Sequence, residues 1–153
     1  MMFGIHAITR DDGIAIVYIQ NPPDVPGLAY LVFGTLADAG VDVDIILQTN
    51  RGGDVIFTVH KEDMEHARDV LEEQFRDFPG TSVEIDPCAV KLSVSGEGMQ
   101  GKPGVAAKVF KCLWDAGVKI VNISTSEVKI CMLIPMRDAD AAYAALVNGF
   151  EMD

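Results

Sequence analysis

Asp24, Gly27 and Gln48 are the residues of this chain best suited to hold a small zwitterion. Asp24 and Gly27 stand in "DVPGLA", where the apolar spacing of Leu28, Val32 and Leu36 opens a helix just after Pro26. The first turn of a helix carries backbone N–H groups without intrahelical partners and a partial positive charge, which suit a carboxylate. A ligand that also carries an ammonium needs an anion, and Asp24 supplies one. Gly27 leaves room for close backbone approach, Leu28 and Ala29 offer N–H groups, and Gln48, at the end of the next strand, both donates and accepts. Capping the helix is the commoner role of an aspartate so placed, and on residue types alone it is the favoured reading of Asp24.

Other polar groupings carry less. Ser124, Thr125, Ser126 and Glu127 suggest a nucleophile, but no histidine lies in this part of the chain. His6, His60 and His66 form no motif with them, and His60 and His66 lack the i, i+4 spacing of a zinc helix. A structural or ligand-contacting hydroxyl cluster is expected instead. Gly96, Gly98 and Gly101 spell a dinucleotide fingerprint, yet the next strand ends in hydroxyls rather than an acidic residue, so a flexible loop is expected. Asp42, Asp44 and Asp54 read as solvated carboxylates at a strand edge and a turn. Neither a metal set nor a cofactor motif emerges, and no catalytic residues are assigned.

The elements that position these residues are written twice. "DVPGLAYLVFGTLADAGV" and "GKPGVAAKVFKCLWDAGV" align with a constant offset: Pro103 lies 77 residues after Pro26, and Gly117 lies 77 after Gly40. Leu28, Val32 and Leu36 answer to Val105, Val109 and Leu113, one apolar helical stripe in two copies. Each copy opens with Pro-Gly, the proline suited to a first helical turn, and ends in Ala-Gly, the glycine suited to a left-handed exit. Ile14, Ile16 and Tyr18 precede the first helix as a strand, and Val90, Leu92 and Val94 precede the second. After the helices come "VDVDIILQ" with "DVIFTV", and "VKIVNIST" with "VKICMLI", rich in β-branched residues. A second helix follows each pair, with Met64, Ala67, Leu71 and Phe75 on one face in the first copy and Ala142, Leu146 and Phe150 in the second.

Each copy thus reads β-α-β-β-α, most of a ferredoxin-like βαββαβ unit in an α+β fold. "TSVEIDP" supplies a fourth strand to the first copy, whereas only "EMD" follows Phe150. The spare segment "FGIHAIT" is expected to complete the second sheet, with residues near Phe3–Thr9 pairing there. The first unit, residues 12–87, would then be inserted into the second, residues 1–11 and 88–153.

Composition narrows the partners. A formal net charge of −11 opposes phosphate-backbone binding, so no nucleic acid is expected. No apolar run reaches the roughly 20 residues of a membrane span, and "MMFGIHAITRDD" lacks the basic and apolar regions of a signal peptide. A cytoplasmic protein without a membrane partner is expected. Cys88, Cys112 and Cys131, odd in number and embedded in apolar sequence, read as buried free thiols of a reducing compartment.

"PDVPGLAYLVFGTLADAGVDVDIILQ" and "GMQGKPGVAAKVF" with "ISTSEVKI" closely resemble the paired ACT domains at the C-terminus of aspartate kinases. Some bacteria also make that region as a separate regulatory subunit. The resemblance runs from about Gly4 to Phe150. It implies allosteric sensing of threonine, lysine or both in feedback control of the aspartate-family amino-acid pathway. It further implies a homodimer through side-by-side ACT domains, and partnership with the aspartate kinase catalytic module, which phosphorylates L-aspartate with ATP. The kinase module itself is absent from these residues. The resemblance favours ligand binding over capping for Asp24, and assigns Pro26, Gly27, Leu28, Ala29 and Gln48 to the same pocket. It adds Lys119 and Ile120, whose backbone would complete the wall from a partner chain, and leaves Thr125 and Ser126 as candidates for a relay or a second site. Gly101 stands where Asp24 would be in the second copy, so a degenerate pocket is expected there. The chain departs from the family pattern at Thr49, in the short "NRGGD" loop and at Lys119. The alternative function is a non-sensing module that only dimerises or stabilises a kinase partner.

Overall fold

The computed structural model describes residues 4–49, 53–99 and 103–152, with residues 48, 49 and 98 described by backbone alone. The chain divides into two compact units, Gly13–Pro87 and Met1–Asp12 with Cys88–Asp153.

In the first unit the order is β2 (Ile14–Gln20), α1 (Leu28–Asp38), β3 (Val43–Thr49), β4 (Val55–His60), α2 (Met64–Gln74) and β5 (Ser82–Asp86). Its antiparallel sheet runs β3-β4-β2-β5, the ferredoxin-like order. Val17, Ile19, Val55, Phe57 and Val59 meet Val32, Leu36, Ala67, Leu71 and Phe75 in one core. The helix-facing residues of β2 are therefore Val17 and Ile19. Ile14 and Ile16 are equally buried, so the strand is apolar on both faces and alternation alone does not tell which face meets the helices.

The second unit contains β1 (Ala7–Asp11), β6 (Ala89–Ser95), α3 (Val105–Asp115), β7 (Asn122–Thr125), β8 (Lys129–Pro135) and α4 (Ala139–Gly149). Its sheet runs β1-β6-β8-β7, with the N-terminal strand in the place that β5 takes in the first unit. Val90, Leu92, Val94, Ile130, Met132 and Ile134 pack with Val105, Val109, Leu113, Ala142, Leu146 and Phe150.

Three local expectations need correction. The N-terminal strand begins at Ala7 rather than near residue 3, and pairs Ala7 with Ser95 through Asp11 with Lys91; Phe3 lies outside the described residues. Ladder hydrogen bonds are indifferent to side-chain polarity, so Arg10 and Asp11 continue the strand despite their charge. Arg10 is tied to Asp12 and to Asp140 at the start of α4, and both bonds hold its guanidinium protonated beyond its ordinary range. At the helix entrances, Gly27 and Gly104 adopt left-handed φ values of 80° and 93° and serve as the N-caps, so each proline precedes the helix instead of entering its first turn. The exits follow the expected left-handed pattern at Gly40 and Gly117. Finally, only Cys131 is buried; Cys112 is half-buried, and Cys88 is exposed in the connection from β5 to β6.

Gly96 owes its identity to packing. A Cβ there would meet the Gly4 carbonyl oxygen and would stand 2.8 Å from Ile5 Cα, so only glycine admits the N-terminal segment. The residues after it, Glu97–Met99, form a 3-10 turn with Met99 in the core, where a flexible loop was expected; Gly101 lies outside the described residues.

Candidate functional site at the first helix entrance

The loop from β2 to α1 is built to present Asp24. Its root is Asn21, a left-handed non-glycine residue with φ of 54°. Three hydrogen bonds hold Asn21. Its N–H donates to Asp54 Oδ1 at 3.2 Å, its Nδ2 donates to the Gly80 carbonyl at 3.0 Å, and its own carbonyl accepts from Thr81 Oγ1 at 2.8 Å. Beyond it, Val25 N–H donates to the Pro23 carbonyl at 3.0 Å, closing a three-residue γ-turn with Asp24 at its apex. The apex side chain is exposed, and among the described residues no hydrogen bond or ion pair engages it.

The helix that follows is uncapped by side chains. Gly27 turns the chain, and its carbonyl accepts from Leu31 N–H at 3.0 Å. Gly27 has no side chain to cap the helix, and among the described residues Asp24 makes no hydrogen bond to the first-turn N–H groups, so it does not act as a cap there. Its carboxylate and the N–H groups of Leu28 and Ala29, which have no partner within the helix, stand as complementary charges at neighbouring positions of the same entrance. Pro26 and Gly27 are both exposed. β3, which carries Gln48, is one of the two edge strands of the sheet and sets Gln48 opposite Ile56 of β4. The Gln48 side chain lies outside the described residues.

The remaining residues assigned by resemblance belong to the second unit. Lys119 is exposed and Ile120 half-buried against that unit's core, in the segment between α3 and β7 where Val121 N–H donates to the Leu133 carbonyl. Thr125 ends β7 and Ser126 follows it. With Glu127, Met99, Val105, Ala106 and Ile130 they line an open depression of about 260 Å³. Subtracting 77 from 105, 106, 125 and 126 gives Leu28, Ala29, Gln48 and Thr49, so this depression is the counterpart of the first helix entrance. Glu127, 77 residues after Asn50, adds a carboxylate to the lining of this depression, and Gly101, the sequence counterpart of Asp24, lies outside the described residues.

Sequence reasoning missed Asn21 and misjudged two aspartates. Asp54 holds the loop root, and Asp44 accepts a hydrogen bond from Thr58; only Asp42 is an exposed carboxylate, 3.6 Å from His60 Nε2. The signal was present in "NPP": asparagine is enriched in the left-handed conformation, and it stands where a strand ends in a turn. His66 instead meets the Ala39 carbonyl, and no group of three His, Cys, Asp or Glu among the described residues is arranged to hold a metal ion. No helix among them is long and apolar enough to cross a membrane.

Two ferredoxin-like units, each with an exposed edge strand beside a glycine helix entrance, define a tandem α+β architecture. Residues 20–75 and 92–150 match the ACT domain family. The chain belongs to that family, as a paired regulatory module of the aspartate-kinase type. It is 36% identical to a chain in the crystal structure of aspartokinase alpha and beta subunits, with a TM-score of 0.88 over 97% of this chain and 99% of that one. The ligand-free regulatory subunit of aspartate kinase from Thermus thermophilus is 33% identical with a TM-score of 0.88, covering 96% of this chain and 99% of that one. The aspartokinase of Thermus thermophilus is 38% identical over 136 residues, 86% of this chain and 33% of the relative. The chain spans about a third of the length of the curated relatives it matches.

Proposed function

We propose that this chain senses an amino acid for an aspartate kinase and passes that signal to the catalytic module in feedback control of the aspartate-family pathway. The observation that carries the reading is the uncommitted Asp24 carboxylate beside the uncapped entrance of α1. Together they offer an anion for an ammonium and N–H donors for a carboxylate, the two ends of an amino acid. Gln48 bridges them, and the backbone around Lys119 and Ile120 of a partner chain completes the wall in a homodimer. Threonine is the first choice, because a short hydroxylated side chain suits a pocket walled by Gly27 and Ala29; lysine is the second. A pocket shared between chains couples ligand to assembly, since a ligand favours whichever arrangement it binds better. The solved likeness to aspartokinase alpha and beta subunits supports a catalytic partner chain.

A second reading, in which the module only dimerises or stabilises the kinase, draws on its exposed edges. Ile46 on β3 and Ile123 on β7, 77 residues apart, are both about half exposed, and Tyr30 and Trp114 are more than four-fifths exposed. Reconstitution with an aspartate kinase catalytic chain separates the two. Sensing predicts that threonine or lysine changes aspartyl phosphate formation only when this chain is present. Stabilised activity indifferent to both amino acids would establish the second reading in its place.

A further inference from the structure

The strand that carries Gln48 is irregular. β3 sets Val43 opposite Val59, Ile46 opposite Phe57 and Gln48 opposite Ile56, with register shifts in both intervals. In each interval β3 advances one residue more than β4. Bulges of this kind bend a strand, re-aim its side chains and cluster beside binding sites. Its counterpart β7 runs in unbroken register from Asn122 opposite Leu133 to Thr125 opposite Ile130. The distortion therefore belongs to the first repeat alone.

At the first shift, Asp44 and Ile45 lie across from Thr58, a polar residue with 0% exposure. Thr58 Oγ1 accepts from Ile45 N–H at 3.1 Å and donates to Asp44 Oδ2 at 3.1 Å. A bulge removes a backbone N–H from the ladder, and a buried N–H left without a partner is costly. The threonine hydroxyl meets that need from the neighbouring strand. Valine has the same shape and no acceptor.

We propose that Thr58 is a positioning residue for the amino-acid site: its hydroxyl holds the first of the two β3 bulges and so helps to set the register of Gln48. This rests on the sensing role given to the first helix entrance. Calorimetry with threonine and lysine, and amide exchange by NMR, would be run on the parent, Thr58→Val and Thr58→Ser. In Thr58→Val, affinity should fall about tenfold and the Ile45 amide should lose protection, while Thr58→Ser restores both. Folded Thr58→Val that binds like the parent would overturn the proposal, even if its melting temperature dropped. Rapid exchange of the Ile45 amide in the parent would also overturn it, and needs no variant to fold. A parent that binds neither amino acid would defeat the sensing role itself, a result distinct from the exchange measurement on the bulge.

Discussion

Replacing Gly27 by alanine places a side chain on a backbone with φ of 80°. The left-handed region costs an L-residue about 1–2 kcal/mol, and the narrower unfolded ensemble of alanine returns about 0.4–1 kcal/mol. The difference is about 1 kcal/mol of lost stability. No steric cost adds to it, because a Cβ at Gly27 meets nothing within 4 Å. Gly104 is a matched control, with φ of 93° and equally open space at the second helix entrance. Both variants should therefore lower Tm by a similar step of roughly 2–4 °C, the scale for about 1 kcal/mol in a chain of this size. Binding should tell them apart. If the Gly27→Ala entrance relaxes to relieve its strain, the ligand must restore it, which weakens threonine or lysine about fivefold for about 1 kcal/mol. Gly104→Ala should leave affinity for the first site unchanged. Thermal melts and calorimetry on the two variants measure both quantities. Equal binding losses, or no stability loss at Gly27, would refute the reasoning.

Two further outcomes follow from packing and charge. Burial, and then the Asp86 carboxylate, raise the Tyr18 phenol above its ordinary value. The folded chain thus holds this proton to higher pH than the unfolded chain. The contribution is complete below the unfolded value of about 10 and is lost as pH rises through the folded one. Urea midpoints should fall more steeply above about pH 10 for the parent than for Tyr18→Phe. At the α3–α4 contact, a Cβ on Gly149 would collide with Cys112 Sγ. Gly149→Ala should cost about 1–3 kcal/mol in urea denaturation, and adding Cys112→Ala should recover most of it.

What the sequence disclosed was periodic, and what it hid was singular. The 77-residue offset and the apolar stripes ending at Leu36 and Leu113 are repeated signals, and they led directly to two ferredoxin-like units. The short tail after Phe150 pointed to the N-terminal strand, since a sheet lacking one strand leaves an open edge. Its register was not legible, because it depends on the close approach of Gly96 to the chain at Gly4 and Ile5. Pro-Gly was misread at the helix entrances because it fits either a first turn or a left-handed cap, and only backbone angles separate them. At the site, Asp24 and Gly27 were visible as residue types. Asn21 and Thr58 were not, since each acts through hydrogen bonds to residues 33 or more positions away or across a strand bulge.

Titration of the chain with threonine and with lysine, beside Asp24→Ala, tests the sensing role most directly. Asp24 is exposed and engages no other side chain among the described residues, so its removal should leave the fold intact. The account predicts saturable binding of at least one amino acid to the parent. Loss of one charge-assisted contact of about 1.5–3 kcal/mol should then weaken it roughly tenfold to a hundredfold in Asp24→Ala. Parent-like affinity in Asp24→Ala would contradict the placement of the site, and no binding of either amino acid to the parent would contradict sensing itself.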